Sequence, residues 1–313
     1  MKLMARWQEF KLLLVIAITA VSGTFFIYYT GGQEKEILYK FGLLIGLLFL
    51  IHIILIVRGH GTDQFLFPIS ALLSILGLLG IYRVDPQMAM KQWLWIILGQ
   101  LAFCFVIIFF KNYRKLEDYK FIFMVLAIFF LLITVLLGVK VSGARAWLEL
   151  GGFRFQPAEI VKLLVILFLA SYLREIRSAF QIEQGEVLKL LLEPRAITPI
   201  LFMVIASLGL LAIQKDLGAA LIFFGIFLVM LYTSTGSIML LATGLGIFSF
   251  GAVIAYYIFG HIRIRVWSWL DPWSRIDESG YQITQSLFAL ASGGIVGSGY
   301  GLGQPQVIPA AAT

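Results

Sequence analysis

Apolar residues come along this chain in long runs, parted by short polar stretches. Nine runs stand out, at residues 12–29, 41–58, 65–82, 92–110, 121–139, 157–174, 197–213, 217–235 and 238–259. Most hold the roughly 17–25 apolar residues that a helix needs to cross a bilayer. The pattern predicts an all-α polytopic membrane protein with about nine spanning helices. Only Gln214, Lys215 and Asp216 separate the seventh run from the eighth, which predicts a tight polar turn. After residue 260 the pattern changes to a large loop segment. Asp271-Pro272 marks a turn there, residues 282–292 read as an amphipathic helix, and "GGIVGSGYGLG" is too rich in glycine to be one. That glycine stretch lacks GxxxxGK[ST] and follows no strand, so it reads as a surface loop and not as a phosphate loop.

Composition agrees with the pattern. The chain is 60% hydrophobic and only 13% charged, against about 25% charged in a soluble globule. Such an excess cannot be hidden in one core of 313 residues, so lipid must solvate much of it. Lys and Arg total 24 against 17 acidic residues, a net +7, yet no long basic run is present. The cations stand at the ends of apolar segments, as topology signals do, which argues against nucleic acid as a partner. Twelve Lys and Arg fall in the loops sharing the N-terminal side and eight in the other set. This favours an N-terminus inside and places the segment from 260 onward outside. Cys104 is the single cysteine, so no intrachain disulfide can form. His52, His60 and His261 show no metal-ligand spacing. Gly42 and Gly46 form a GxxxG that random apolar sequence often produces. No small-residue cleavage site follows the first run, and eight more runs come after it, which argues against a cleaved signal peptide.

Candidate chemistry gathers in three places. Pro157 suits the first position of a helix, which puts Glu159 in the first turn where the dipole favours a negative charge. Lys162 lies three residues on and shares that face. The two can be an interfacial ion pair with Lys162 snorkelling to water, or one wall of a polar cavity within the bundle. The preceding "GARAWLELGGFRFQ" mixes Gly, Arg and aromatics and reads as a re-entrant or amphipathic segment on the outer surface. Its Arg145 could hold a substrate diphosphate or an ordinary headgroup phosphate, since guanidinium forks match phosphate oxygens. Asp216 could cap the following helix or face a polar cavity. In the outer segment, Arg263 and Arg265 precede Trp267, Trp269 and Trp273, an interfacial aromatic belt.

These clusters, in this order, resemble the SEDS family of bacterial cell-wall proteins, the group containing RodA, FtsW and SpoVE. The resemblance rests on Gly143-Ala144-Arg145-Ala146-Trp147, on Gln156-Pro157-Ala158-Glu159 with Lys162, and on Gln214-Lys215-Asp216-Leu217-Gly218. It rests also on Arg263 or Arg265, Asp271-Pro272, Gly280-Tyr281-Gln282, Gln285-Ser286, Ser292-Gly293-Gly294 and Pro309. Ala146 stands where the family usually has a second Arg, and Lys215 where it usually has Pro. The match runs from about residue 64 to the end, which leaves residues 1–60 as two extra helices, 61–259 as a SEDS-like core and 260–313 as the extracytoplasmic loop.

The resemblance implies a peptidoglycan glycosyltransferase of the bacterial cytoplasmic membrane that polymerises lipid II on its outer face, in elongation, division or sporulation. It implies a class B penicillin-binding transpeptidase as partner. It suggests substrate contacts at Arg145, Glu159, Lys162, Asp216, Arg263, Arg265 and Gln282. A diphosphate often travels with Mg²⁺, for which Asp216 and Asp271 are the candidate ligands. The family's catalytic aspartate is expected directly after Thr313, so no catalytic residue is assigned within the chain and the sequence reads as an N-terminal fragment. Two rivals are a lipid II flippase and a scaffold that recruits a transpeptidase. A flippase path should be polar at both depths, whereas the charges singled out here lie towards the outer side.

Overall fold

The structure, a computed structural model, describes residues 6–31, 36–58, 63–110, 112–141, 143–150, 153–179, 194–299 and 303. In chain order the helices are α1 (Trp7–Gly31), α2 (Glu36–Arg58), α3 (Leu66–Val84), α4 (Pro86–Phe109) and α5 (Lys120–Leu137). Three strands follow, β1 (Val139–Val141), β2 (Ala144–Leu150) and β3 (Phe153–Phe155). Then come α6 (Pro157–Ala179), α7 (Pro194–Ile213), α8 (Leu217–Thr235), α9 (Ile238–Ile258), α10 (Gly260–Leu270) and α11 (Tyr281–Gly293). Met1–Lys111 and Phe259–Thr313 make up one compact unit, and Asn112–Ile258 the other.

Among the described residues, eight helices are long and apolar enough to cross a membrane. They correspond to eight of the nine predicted runs, as expected of an all-α polytopic membrane protein. The ninth, α6, is also a continuous helix of 23 residues, or about 35 Å at 1.5 Å per residue. Glu159, Lys162 and Arg174 set it apart from the others by their charge.

In the first unit, α1 to α4 bury an interleaved apolar face. Leu13, Ile16 and Ala20 of α1 meet Leu44, Leu48 and Ile51 of α2 and Ala71, Ile75 and Leu78 of α3 in one cluster. The spacing of three and four residues is the helical repeat of a buried stripe. Asp85 starts α4, its Oδ1 accepting from the Gln87 N–H at 2.7 Å and the Met88 N–H at 3.2 Å. Pro86 takes the first helical position, where no N–H is needed. A Cβ added at Gly42 or Gly46 would meet nothing within 4 Å, so the GxxxG makes no close helix approach among the described residues.

A charge cluster that the sequence did not announce ties α1 to α2. Glu9 is fully buried. Its Oε2 accepts from Arg6 Nε at 2.8 Å, and its Oε1 lies 2.6 Å from Nδ1 of His52, 43 residues away. Arg6 and His52 are themselves 5% exposed.

Residues from 260 hold more helix than expected. Phe259 is extended, which breaks the chain direction after α9, and α10 then carries Arg263 and Arg265. Its period-two sequence, His-Ile-Arg-Ile-Arg, hid this helix. The Asp271-Pro272 turn is present, with Asp271 Oδ1 accepting from the Ser274 N–H at 3.2 Å. Helix α11 falls where the amphipathic helix was expected. The glycine stretch after it turns through positive φ at Gly294, Gly297 and Gly299, a region side chains rarely adopt. Residues 300–302 and 304–313, Pro309 and Thr313 among them, lie outside the described residues.

Gly280 yields a first prediction. A Cβ there would lie 2.3 Å from the carbonyl oxygen of Pro272 and 2.8 Å from that of Arg275, both backbone atoms. Gly280→Ala should therefore open this turn at a cost of about 1–3 kcal/mol. Hydrogen exchange over residues 271–293 should rise in the variant and stay level elsewhere.

In the second unit, α6 is the central helix. Val161, Val165, Phe168 and Leu169 are fully buried on one face, against Ala127 and Leu131 of α5, Met203 of α7 and Phe223 of α8. At the Arg174 end, Arg174 pairs with Glu117, and Lys120 Nζ lies 3.0 Å from Glu175. At the other end β1, β2 and β3 form a small antiparallel sheet in the order β1-β2-β3. This corrects the expected re-entrant or amphipathic segment. Pairing of Glu149 with Arg154 and of Leu148 with Phe155 lets the backbone satisfy itself between strands.

Candidate functional site

The polar residues of the second unit converge where α5 ends, α6 begins, and α7 turns into α8. The short loops make this so: α7 is followed directly by the turn Gln214-Lys215-Asp216, and the sheet delivers its last strand into Gln156 and Pro157.

Asp216 both caps and bridges. Its Oδ1 accepts from the Ala219 N–H at 3.0 Å, the N-cap bond expected for α8. Its Oδ2 accepts from Gln156 Nε2 at 3.0 Å, which links the turn to the start of α6. The capping reading of Asp216 is met, and its other oxygen is taken by Gln156.

Arg145 stands on β2. Its backbone N–H donates to the carbonyl of Gln214 at 2.9 Å, and its Nη1 reaches the carbonyl of Val135 on α5 at 3.4 Å. Gly138 lies beneath it, where an added Cβ would be 3.0 Å from Arg145 Cγ. The guanidinium is exposed, so it presents donors at the end of the helix bundle with its stem supported.

Pro157 opens α6 as expected, and the Glu159 N–H donates to the Gln156 carbonyl at 3.1 Å. Lys162 Nζ lies 2.7 Å from Glu159 Oε2, with side chains 24% and 60% exposed respectively. The more buried ammonium is thus held by an outward carboxylate. Arg154 and Glu149 make a looser pair across β2 and β3 at 3.9 Å.

Structure thus brings Arg145, Glu159, Lys162 and Asp216 to one end of the second unit. Arg263 and Arg265 lie on α10 and Gln282 on α11, all three exposed and in the first unit. Asp216 and Asp271, the two candidate cation ligands, fall in different units. Among the described residues no group of three or more His, Cys, Asp or Glu is gathered as metal ligands would be. Sequence reasoning missed Gln156 and Gln214, whose amides stitch the site. Both stand in motifs that carry the resemblance, Gln156-Pro157-Ala158-Glu159 and Gln214-Lys215-Asp216, but no role was assigned to them.

Lys215 has φ of 60°, the one positive φ outside glycine among the described residues. Its N–H also donates to the Ala212 carbonyl at 3.0 Å. Proline, usual here in the resembled family, is locked near −65° and has no N–H. Lys215→Pro should therefore cost about 3 kcal/mol or more, while Lys215→Gly should be neutral or stabilising. Thermal unfolding of the two variants side by side measures the difference.

The chain also has relatives among known proteins. The family model described as cell cycle protein, for FtsW, RodA and SpoVE, matches residues 63–313. The peptidoglycan glycosyltransferase RodA of Mycobacterium tuberculosis is 40% identical over 266 residues, covering 80% of this chain and 57% of that protein. Stage V sporulation protein E of Bacillus subtilis is 28% identical over 258 residues, covering 78% of this chain and 67% of that one. One chain of a solved peptidoglycan synthase complex, described for the coordination of polymerization and crosslinking, superposes with a TM-score of 0.58. It is 29% identical, covering 75% of this chain and 67% of that chain. The chain spans little more than half the length of the curated RodA relatives it matches. With the family match covering residues 63–313, the chain belongs to the FtsW, RodA and SpoVE family of cell cycle proteins.

Proposed function

We propose that the protein is a peptidoglycan glycosyltransferase that polymerises lipid II on the outer face of the bacterial cytoplasmic membrane, with its N-terminus inside. The observation that carries this reading is the supported, outward guanidinium of Arg145 beside the Lys162–Glu159 pair and the Gln156–Asp216 bridge. Its relatives named peptidoglycan glycosyltransferases supply the reaction class.

The residues have separable tasks. In the reaction an acceptor sugar hydroxyl loses its proton to a carboxylate base and attacks the anomeric carbon of the donor. The new glycosidic bond forms as the bond to the lipid diphosphate breaks, and the diphosphate takes up the negative charge. Arg145 and Lys162 answer that charge, with Arg263 and Arg265 as further cations of the outer segment. Glu159 holds Lys162 in place, Asp216 and Gln156 fix the site's floor, and Gln282 is a further substrate contact. No residue of this chain is assigned as that base. Residues 1–60 add two helices to the family-matched sequence, and these share one apolar cluster with α3 and α4; a class B penicillin-binding transpeptidase is the partner that cross-links the product.

A flippase reading gains one observation. The Arg6–Glu9–His52 cluster adds buried charge near the N-terminal end of α1, beyond the charges that the sequence placed towards the outer side. All three of its residues are buried, whereas a translocation path needs groups open to a passing headgroup. Purified full-length protein, with and without its transpeptidase, should convert labelled lipid II into long glycan chains. Lipid II crossing liposome membranes without any polymer would hand the case to the flippase.

A further inference from the structure

Gln214 is the deepest polar residue of the site and has no role in the reading above. It is 1% exposed. Its side-chain Nε2 donates to the Leu131 carbonyl on α5 at 3.0 Å, 83 residues away. Its own carbonyl accepts from the Arg145 N–H on β2. One residue thus grips α5 through its side chain and β2 through its backbone, while its neighbour Asp216 grips α6 through Gln156.

The amide is held at a cost. Its Oε1 is buried and has no hydrogen-bond partner, and an unpaired buried acceptor is unfavourable. A leucine or methionine would fill similar volume without orphaning an oxygen, so filling space alone does not account for glutamine here. Its donor bond to α5 does. Arg145 reaches the same helix four residues further on, at Val135. The Leu131 bond therefore sets the height of the turn against α5, and the turn sets the height of β2 from which Arg145 extends.

We propose that Gln214 is a positioning residue that acts through Arg145, setting where its guanidinium meets the diphosphate of a lipid-linked sugar donor. It touches no substrate. The proposal rests on the function inferred above, so its test needs one readout that does not depend on activity.

That readout is hydrogen exchange at residues 139–155 of the full-length protein. In Gln214→Ala the carbonyl that accepts from Arg145 remains, yet exchange at the Arg145 amide should rise by about tenfold as the turn loosens. The second readout is kinetic. Gln214→Ala should raise KM for lipid II by about tenfold, and adding it to Arg145→Ala should cost little further, because both act through one group. Gln214→Glu supplies a conservative check. Its protonated carboxyl can donate to Leu131 but its carboxylate cannot, so this variant should lose activity as pH rises, in a limb absent from the wild type. Unchanged exchange at Arg145, or fully additive losses in the double variant, would overturn the positioning role. Raised exchange with normal polymerisation in both Gln214→Ala and Arg145→Ala would keep the positioning and sink the proposed function.

Discussion

Glu9→Ala should lose about 3–5 kcal/mol of stability, the largest loss expected from any single change in α1 or α2. The carboxylate is fully buried and holds Arg6 at 2.8 Å and His52 at 2.6 Å. Its removal takes away the carboxylate that both the buried guanidinium and the buried imidazole bond to. Buried within the protein, neither group finds a ready substitute in water. Unfolding in mild detergent, followed by hydrogen exchange over residues 6–31 and 36–58, should show α1 and α2 loosening together. His52→Ala should cost less, since the Arg6–Glu9 pair survives it. Glu9→Ala and His52→Ala should be non-additive, the mark of groups in one network. A wild-type unfolding curve for Glu9→Ala would mean that the cluster contributes nothing.

Arg145→Ala should lower glycan polymerisation by about 10²–10³-fold, the range for losing one preorganised donor to developing negative charge. Lys162→Ala should fall in the same range. Glu159→Gln should lose less than either, because its carboxylate holds Lys162 from an exposed position and such pairs contribute little to stability. Thermal unfolding should barely change in all three. This pattern separates a substrate site from the scaffold reading, under which Arg145→Ala and Lys162→Ala would leave glycan synthesis intact.

Much of this was readable from spacing alone. The run 217–235 coincides with α8 because both ends carry strong stop signals, Asp216 as N-cap and Gly236 in the left-handed conformation as C-cap. The start of α4 was set too late for the opposite reason: Asp85 and Pro86 open it, but the polar Gln87 and Lys91 keep the apolar run from starting before residue 92. The apolar residues of α6 buried as their helical spacing required, and Pro157 and Glu159 fell where helix-start chemistry put them.

Other features hid for physical reasons. The sheet was written in the alternation of Val139-Lys140-Val141 and Ala144-Arg145-Ala146-Trp147, but its strands are short and flank membrane runs that dominate any reading by hydropathy. The Arg6–Glu9–His52 cluster could not be seen because its members lie 43 residues apart, and Arg6 passed for an ordinary flanking cation. Gln156 and Gln214 carry no charge and no spacing rule, so only tertiary contact shows what their amides hold. Legibility thus followed locality, and the site's supports are its least local part.

The most direct test of the central claim is the affinity of full-length protein in nanodiscs for lipid II, beside Arg145→Ala and Lys162→Ala. A diphosphate held at this end of the bundle predicts binding at least about tenfold weaker in each variant. It also predicts that the undecaprenyl diphosphate moiety alone competes with lipid II for the wild type. Equal affinity in all three proteins would contradict the claim and remove the diphosphate from this site.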